Sequence, residues 1–319
     1  MPGEQKQLAE KFGYLEETIE RFVKLFGIEE TKEMLRAYQT KPQPTIRVNT
    51  LKISPFELKK RLELKGFSLT QSQWYKEGFH VKFEPISLGA TTEYLCGFYF
   101  IQSAASWLPA LLLDPQPNQF IIDIAAAPGG KTTHIAQLMS NTGVLLCYDV
   151  SRDRMKSLRS NLNRCGVMNA ICIRSDARKL RSLELKADKI LLDAPCTGEG
   201  LMAVDQSRRT SKNKEDILRL QKLQKVLIEI GISSLRKGGE LVYSTCSTAP
   251  EENEDVIQGA LDKFPIKIME HKFKEFPSGL TKAFGKEYSP EMRNAIRLYP
   301  HKNNTEGFFV CKLMLEEEL

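Results

Sequence analysis

Short apolar runs alternate with helical stretches from about residue 119 onward, and no other feature of the sequence restricts the fold as strongly. The helical stretches cover 131–140, 151–164, 215–235 and 251–263. The apolar runs are "FIIDIAAA", "GVLLCYDV", "AICIRSD", "KILLDAPC" and "GELVYSTCS". Near-continuous apolar strands separated by helices predict an α/β fold with a parallel sheet covered on both faces. Ligands of such sheets bind beyond the carboxyl ends of the strands, so the residues after each strand are the candidates for function.

The N-terminal part of the chain carries a different pattern. Residues 1–40 have apolar positions at helical spacing, and Gly27 ends one helix before the next begins. Two prolines in "KPQPTIRVNTLKIS" indicate a linker that leads into a strand, Ser54 and Pro55 begin a helix, and "FHVKFEP" indicates another strand. We therefore predict helices over 1–40, a small α/β domain over 41–98 and a larger α/β domain over 99–319.

Composition excludes several classes of protein. The chain of 319 residues is 41% hydrophobic and 27% charged, as in a globular protein. No apolar stretch approaches the roughly 20 residues of a membrane span, and "MPGEQKQLAEKFG" lacks an apolar signal-peptide core, so we expect a cytoplasmic protein without a membrane partner. The seven cysteines include no Cys-x-x-Cys pair and the four histidines are dispersed, so we predict neither a disulfide framework nor a metal site.

The positive charge of the chain is concentrated in one segment. The formal net charge is +6, and between Arg152 and Lys189 eleven Lys or Arg residues stand against four acids. Such an excess indicates a polyanionic partner or, alternatively, a solvated helix face.

The first predicted strand ends in "DIAAAPGGKTTH" (123–134), which has the properties of a ligand-binding loop. Glycine lets the backbone approach a ligand closely, and the N-terminus of the following helix can hold a negative group. A phosphate-loop motif requires a glycine where Ala125 stands, and the dinucleotide motif G-x-G-x-x-G is absent. ATP hydrolysis and hydride transfer therefore lose most of their support.

Acidic residues end the second and third strands. Asp149 follows Gly129 by twenty residues, from where an acid reaches the hydroxyls of a ribose, although Asp149 could equally cap the next helix. Asp176 is placed to face an adenine. Two acids beside a glycine turn indicate an adenosine-containing ligand whose charge is not mainly phosphate. S-adenosylmethionine fits that description.

Cysteines follow the fourth and fifth strands, in "LLDAPCTGEG" (191–200) and "LVYSTCS" (241–247). Taken alone, Cys196 or Cys246 would be predicted as a buried inert thiol. Both are expected at the ligand edge of one sheet, together with Asp193 and Lys131, and this combination favours chemistry.

Six ordered blocks resemble those of the RsmB/NOL1/NSUN family of S-adenosylmethionine-dependent RNA (cytosine-5) methyltransferases. They are "IRVNTLK", "FYFIQSAAS", "DIAAAPGGKTTH", "LLDAPCTGEG", "GGELVYSTCSTAPEENEDVI" and "RLYPHKNNTEGFFVCKL". The resemblance implies a Rossmann-like class I methyltransferase domain with a mostly parallel seven-stranded sheet whose last strand is antiparallel, and it makes 41–98 a small RNA-binding domain. Three features depart from what is usual in the family: Ala125, Ser103 and the substrate loop "MAVDQSRRTSKNKEDI" (202–217), which lacks a tryptophan.

The resemblance also implies the catalytic roles. Cys246 corresponds to the nucleophile that adds to carbon 6 of cytosine, and Cys196 to the cysteine that assists release of the product. Asp193, oriented by Lys131, would lie between the cofactor and the target base. Covalent addition suits this substrate, because carbon 5 of cytosine is too weak a nucleophile to accept a methyl group unaided.

The cofactor implied by the resemblance is S-adenosylmethionine. Asp149 would bind its ribose with Arg154 close by, and Asp176 would face its adenine. Its methionine part is expected on the loop formed by Ala125, Ala126, Ala127, Pro128, Gly129, Gly130 and Lys131.

RNA contacts are predicted for two groups of polar side chains, with a solvated surface as the alternative for each. One group lies in the substrate loop and the other in the small domain. They are Arg208, Arg209 and Lys212, and Arg47, Asn49 and Lys52.

We expect a monomeric enzyme. Its favoured substrate is tRNA, and ribosomal RNA is the second candidate. A non-catalytic RNA-binding assembly factor is an alternative, but it predicts the loss of a catalytic cysteine or of the cofactor loop, and both are retained. A DNA cytosine methyltransferase is favoured by the Pro195-Cys196 pair and disfavoured by the "STCS" block.

Overall fold

The computed structural model describes residues 2–319, and the chain divides into two compact units. The first unit combines the chain up to Pro42 with Ala194–Ile232 and Tyr243–Glu318, and the second combines Gln43–Asp193 with Ser233–Val242. These units do not follow the boundaries proposed after residues 40 and 98, which remain a prediction.

Helices and strands alternate along much of the described chain. Within residues 2–319 the α-helices are α1 (Pro2–Phe12), α2 (Glu16–Phe26), α3 (Ile28–Ala37), α4 (Pro55–Leu64), α5 (Thr92–Leu95), α6 (Leu108–Leu113), α7 (Gly130–Leu138), α8 (Arg152–Cys165), α9 (Lys214–Ser233), α10 (Glu254–Leu261) and α11 (Pro300–Asn303). The strands are β1 (Thr45–Val48), β2 (Ser68–Gln71), β3 (Gly78–Phe83), β4 (Tyr99–Ile101), β5 (Phe120–Ile124), β6 (Val144–Asp149), β7 (Ala170–Arg174), β8 (Ala187–Asp193), β9 (Leu235–Thr245), β10 (Ile266–Ile268), β11 (Lys282–Ala283), β12 (Lys286–Glu287), β13 (Ile296–Leu298) and β14 (Phe308–Leu315).

A small antiparallel sheet with strand order β2-β3-β1-β4 forms one part of the second unit. Its apolar face packs with α4 into a core that includes Ile46, Leu58 and Phe79, each no more than 2% exposed. The Ser54 side chain accepts a hydrogen bond from the backbone N–H of Glu57 at the start of α4, so the predicted N-cap is confirmed.

The parallel strands β8-β5-β6-β7 form the other sheet of the second unit. Ile121, Ile122 and Leu191 are fully buried, as the near-continuous apolar runs predict. Strand β9 runs alongside β8 in the same direction, because the N–H of Ala187 donates to Ser234 O and that of Ala194 to Ser244 O, at 2.8 Å each.

Strand β9 continues from the second unit into the first at Tyr243. In the first unit the strand order is β10-β14-β9, and the short β13 also pairs with β14. Helices α1, α2 and α3 bury a separate cluster that includes Ile19, Phe22 and Met34.

The structure confirms the predicted α/β class with a mostly parallel sheet, and it adds two details. The main sheet has eight strands, because β13 joins it beside β14, which is antiparallel to its partners β10 and β13. The N-terminal segment holds three helices, because the chain also breaks at Gly13, whose φ is +71°. None of the helices in residues 2–319 is long and apolar enough to span a bilayer.

Candidate active site

The predicted cofactor loop joins β5 to α7 in the second unit. Ala125 and Gly129 have φ values of +65° and +105°, so the backbone turns sharply before Gly130 begins α7. A Cβ atom on Gly129 would lie 3.0 Å from Leu158 Cδ1, because α8 packs closely against the loop. The first N–H groups of α7 have no acceptors within the helix and can bind a negatively charged group.

Hydrogen bonds to β6 and α8 fix the middle of the loop. The N–H of Ala126 donates to Tyr148 O at 2.8 Å, and Asn161 Nδ2 donates to Pro128 O at 2.9 Å. Ala126 and Ala127 are buried. The loop is therefore held in one conformation by contacts within the protein.

Asp123 supports the loop from inside the unit, although its position in the sequence pattern predicts no role for it. It is 1% exposed, and its Oδ2 accepts a hydrogen bond of 2.6 Å from Thr132 Oγ1, which also donates to Ala126 O. Burial raises the pKa of Asp123 to about 7, although the hydrogen bond from Thr132 opposes this shift. The available signal was an acid inside the otherwise apolar run "FIIDI".

Asp149 ends β6 and faces the loop. Its Oδ2 accepts a hydrogen bond from the N–H of Ala127 at 3.3 Å, and its Oδ1 accepts one from the N–H of Ser151 at 2.9 Å. Arg154 lies 3.7 Å from the same carboxylate and donates to Ala127 O. The helix-cap alternative for Asp149 is wrong, because Ser151 is the N-cap of α8.

Asp176 lies just beyond the end of β7, where it caps a short 3-10 helix at Ala177–Leu183. Its carboxylate accepts hydrogen bonds from the Arg178 side chain and backbone, which lower the pKa of Asp176. Its side chain is 34% exposed. The acid is therefore ionised and partly open to solvent.

Lys131 and Asp193 form an ion pair in the second unit. Lys131 lies in the first turn of α7, Asp193 is the last residue of β8, and Lys131 Nζ is 2.7 Å from Asp193 Oδ2. The lysine side chain is 14% exposed and the aspartate side chain 33%. The lysine thus restrains the aspartate carboxylate, and the catalytic role of the pair remains a prediction.

Cys196 and Cys246 lie together in the first unit. Their sulfur atoms are 3.2 Å apart, both side chains are partly exposed, and neither forms a disulfide. Cys196 stands three residues after the end of β8, and Cys246 directly follows β9. The two strand ends thus bring two thiols from sequence positions 50 residues apart into contact.

Glu252 holds the backbone on both sides of Cys196. Its fully buried carboxylate accepts hydrogen bonds from the N–H and hydroxyl of Thr197 and from Gln224 Nε2. Gln224 Nε2 also donates to Pro195 O at 2.9 Å. Burial raises the pKa of Glu252, a residue that the sequence pattern does not single out.

Asn253 bonds the residues on either side of Cys246, a side-chain hydroxyl before it and a backbone oxygen after it. Its Oδ1 accepts a hydrogen bond of 2.6 Å from Thr245 Oγ1, and its Nδ2 donates to Ser247 O at 2.9 Å. Asn253 is fully buried. The "PEENED" segment (250–255) therefore supplies two adjacent side chains, Glu252 next to the Cys196 loop and Asn253 next to the Cys246 loop.

Three predicted RNA contacts are incompatible with this structure. Arg47, Asn49 and Arg209 are 1%, 2% and 8% exposed, so their side chains are not available to RNA. Arg47 donates to Gln137 and Thr133, Asn49 Nδ2 donates to Gly97 O and Cys165 O, and Arg209 donates to Tyr38 O. These side chains satisfy buried acceptors instead, Arg47 and Asn49 in the second unit and Arg209 in the first.

The other three predicted RNA contacts reach the surface. Lys52 is exposed, and its Nζ donates to Cys96 O and Arg164 O. Arg208 is partly exposed and donates to Thr197 O at 2.7 Å, next to Cys196 in sequence. Lys212 is partly exposed in the segment before α9.

A cleft of about 470 Å³ on α8 and β7 is lined mainly by cations. Its lining residues are Arg152, Met155, Lys156, Arg159 and Arg174. Four of the eleven Lys and Arg residues between Arg152 and Lys189 thus line one cleft of the second unit. Residues 2–319 contain no group of three or more His, Cys, Asp or Glu side chains placed to hold a metal ion.

Comparison with known proteins identifies relatives over nearly the whole chain. It is 39% identical over 313 residues to a mouse 28S rRNA (cytosine-C(5))-methyltransferase, covering 97% of this chain and 40% of the mouse protein. It is 39% identical over 298 residues to a Pyrococcus abyssi tRNA (cytosine(49)-C(5))-methyltransferase, covering 92% and 94% of the two chains. The chain spans between 38% and 51% of the length of its first four curated relatives.

Two solved structures also match nearly the whole chain. A methyltransferase homolog protein from Pyrococcus horikoshii is 43% identical with a TM-score of 0.90, over 98% of this chain and 99% of that one. NSun6 from Pyrococcus horikoshii, solved with SFG, is 29% identical with a TM-score of 0.83, over 94% and 97% of the two chains.

Family profiles match both parts of the sequence. The profile "N-terminal domain of 16S rRNA methyltransferase RsmF" matches residues 16–104, and "16S rRNA methyltransferase RsmB/F" matches residues 110–314. The second match covers more than half of the chain and includes the cofactor loop, Asp149, Asp193 and both thiols. The chain therefore belongs to the 16S rRNA methyltransferase RsmB/F family.

Proposed function

We propose that this protein transfers a methyl group from S-adenosylmethionine to carbon 5 of a cytosine in RNA, with tRNA as the preferred RNA substrate. The observation that carries the proposal is the contact between Cys196 and Cys246, 3.2 Å apart at the ends of two strands. Cytosine-C(5) methylation is also the activity in the names of the mouse and Pyrococcus abyssi relatives. The tRNA enzyme supports the choice of tRNA, because this chain covers 94% of its length.

The second unit fits S-adenosylmethionine. An α-amino acid carboxylate suits the N–H groups at the start of α7, and the glycine at 129 leaves open the space that a Cβ would fill against α8. Asp149 would bind the ribose hydroxyls beside Arg154, and Asp176 would face the adenine. The cofactor supplies an electrophilic methyl group when bound. SFG, bound in the Pyrococcus horikoshii NSun6 structure, is an analogue of S-adenosylmethionine and supports this choice.

Cys246 acts as the nucleophile in the proposed reaction. Its thiolate sulfur forms a bond to carbon 6 of cytosine, and the electron pair released toward carbon 5 makes that carbon nucleophilic enough to accept the methyl group. Asp193, held by Lys131, shares a proton or hydrogen bond with ring N3 and so spreads the charge of the adduct. Asn253 restrains the two neighbours of Cys246 through the Thr245 hydroxyl and Ser247 O.

Cys196 acts at the end of the cycle. Carbon 5 carries a proton and the new methyl group after transfer, and removal of that proton restores the double bond and expels the Cys246 thiolate from carbon 6. We assign the assistance of this step to Cys196, which Glu252 and Gln224 hold in place. This order gives the two adjacent thiols different tasks.

The RNA would contact cations on exposed surfaces. Lys52, Arg208 and Lys212 remain candidates, and the cleft with Lys156 and Arg174 is a further one. The target base must leave its stack to be alkylated, which favours a loop or a weakly paired junction. The monomeric state and the cytoplasmic location predicted from the sequence also remain predictions.

Ribosomal RNA is the second candidate substrate, because the matching family profile and the mouse relative both carry rRNA in their names. Transfer of labelled methyl groups from S-adenosylmethionine to a tRNA transcript, to 23S and 16S rRNA fragments and to a DNA oligonucleotide separates these candidates. We expect 5-methylcytidine in RNA, most of it in tRNA, and no label in DNA. Label in DNA, in another nucleoside, or in no nucleic acid would overturn the proposal.

A further inference from the structure

A second cysteine pair lies on the parallel sheet of the second unit, apart from the thiols already described. Cys147 on β6 and Cys172 on β7 are direct register partners, so their side chains leave the same face of the sheet. Neighbouring strands are about 4.8 Å apart. Disulfides join residues whose Cα atoms are about 4.4–6.8 Å apart, so these two positions are close enough to be bridged.

The two thiols differ in access to solvent. Cys147 is fully buried, whereas Cys172 is partly exposed and lines a cleft of about 340 Å³ together with Arg159, Leu162 and Val167. Among residues 2–319, β7 is the last strand of the sheet path and no strand pairs with its outer edge. A small solute can therefore reach one thiol of the pair while the other is shielded.

The surroundings of Cys172 stabilise its thiolate. Cys147 Sγ donates to Leu145 O at 3.6 Å, and the adjacency of the two thiols lowers the pKa of Cys172 and raises that of Cys147. The Arg159 guanidinium lines the same cleft, and its positive charge lowers the pKa of Cys172 further. The pair therefore consists of an accessible, thiolate-prone cysteine and a buried, protonated partner.

We propose that Cys172 is a site of reversible oxidation by peroxides and that Cys147 is its resolving partner. The Cys172 thiolate sulfur attacks one peroxide oxygen, the O–O bond breaks, and the hydroxide that leaves takes up a proton to form water. The Cys147 sulfur then attacks the sulfenic sulfur of Cys172, the S–O bond breaks, and the leaving oxygen takes the thiol proton and departs as a second water. Two thiols are oxidised to one disulfide, and one peroxide is reduced by two electrons. This inference does not depend on the proposed methyltransferase activity.

The test uses full-length protein with Cys196→Ser and Cys246→Ser, so that the other adjacent thiols cannot form a competing disulfide. After treatment with hydrogen peroxide, non-reducing peptide mass spectrometry is expected to find a Cys147–Cys172 disulfide that dithiothreitol reverses. With Cys147→Ser added, oxidation is expected to stop at a sulfenic acid on Cys172 that dimedone traps. With Cys172→Ser added instead, Cys147 is expected to stay reduced.

Alkylation rates test the same inference without oxidation. Cys172 is expected to react with iodoacetamide at pH 7 about tenfold faster than the exposed Cys96, because more of it is thiolate. Arg159→Gln is expected to slow Cys172 several-fold, whereas Arg152→Gln on the same helix is the charge-matched control and is expected to have no effect. Alkylation of Cys172 no faster than Cys96, or oxidation of Cys147 in the Cys172→Ser protein, would overturn the proposal.

Discussion

Asp123 has 1% of its surface exposed and a pKa raised to about 7 by burial. The unfolded chain has an aspartate pKa of about 3.9, so between pH 4 and 7 the folded protein holds a proton that the unfolded chain has lost. The free energy of unfolding therefore falls as pH rises through this interval, by on the order of a few kcal/mol, since one pKa unit corresponds to about 1.4 kcal/mol. Asp123→Asn removes the titration while the amide oxygen can still accept from Thr132.

Denaturant unfolding from pH 4.5 to 8 measures this effect. We expect Asp123→Asn to be more stable than the parent at pH 8, with the difference shrinking toward pH 4.5. Asp153→Asn, at a side chain 86% exposed, is the matched control and should follow the parent. An Asp123→Asn protein less stable than the parent at pH 8 would show that the ionised Asp123 carboxylate stabilises the folded protein.

Asn253 tests the positioning of Cys246 because it bonds the side-chain hydroxyl of Thr245 and the backbone oxygen of Ser247, the residues on either side of the thiol. Asn253→Asp keeps the size of the side chain and loses the donor to Ser247 O. A misplaced nucleophile costs on the order of 10²-fold in rate. We expect kcat for methyl transfer to fall by about that factor while KM for S-adenosylmethionine stays within twofold.

Asn118→Asp is an exposed control for this substitution. It should leave kcat unchanged. An equal loss of activity in both variants, or a loss confined to the cofactor KM of Asn253→Asp, would contradict a positioning role for Asn253.

Residue types at strand ends made part of the site predictable. Asp149, Asp193, Cys196 and Cys246 were selected because each ends or follows a strand of a predicted parallel sheet, and their roles remain predictions. The burial of Arg47 was not predictable, because its partners Gln137 and Thr133 lie about 90 residues away in sequence. Glu252 was missed for the same reason, because its partner Thr197 lies 55 residues away. Asn253 bonds Thr245 and Ser247 only eight and six residues away, but its polar side chain lies in the acidic segment "PEENED", where no periodic pattern marks it as buried.

The loop between β5 and α7 is the element on which cofactor binding is expected to depend. Gly129 has a φ of +105°, and a Cβ there would approach Leu158 to 3.0 Å. Gly129→Ala is therefore expected to strain the loop and weaken S-adenosylmethionine binding at least tenfold in calorimetric titration. Gly285→Ala is the matched control, because Gly285 has a φ of +79° and a Cβ added there would meet nothing within 4 Å.

The Gly285→Ala control should lose a little stability and bind S-adenosylmethionine with the affinity of the parent protein. Normal cofactor affinity in Gly129→Ala would contradict the role assigned to this loop.

Long elements were predictable and short ones were not. The spacing and apolar runs predicted β5, β6, β7, β8 and α8 within a few residues, because the strands form near-continuous apolar runs and α8 is long and capped. β11 and β12 have two residues each, too few to form a periodic pattern. The break between α1 and α2 was missed because the apolar spacing continues across Gly13.

The charge of the whole molecule favours a polyanionic partner. With a net charge of +6 and a basic cleft on α8 and β7, RNA binding is expected to weaken steeply with salt. Lys156→Gln combined with Arg174→Gln should reduce the slope of log K against log salt concentration by about 2, at roughly 0.9 per lost phosphate contact. Cofactor affinity should not change.

Lys186→Gln combined with Lys237→Gln removes the same charge from other exposed positions and is the control. Equal slopes for the cleft variant, the control and the parent, measured by filter binding to tRNA, would exclude the cleft from the RNA surface.

The central claim, that two adjacent thiols perform successive steps of cytosine methylation, is tested most directly by trapping the covalent adduct. Incubation of each cysteine variant with RNA and S-adenosylmethionine, followed by a denaturing gel, reports whether protein and RNA remain joined. We expect Cys196→Ala to give a shifted protein–RNA band and Cys246→Ala to give none, because only Cys246 forms the bond to carbon 6. A band with Cys246→Ala and none with Cys196→Ala would reverse the assignment, and no band with either would contradict the covalent mechanism.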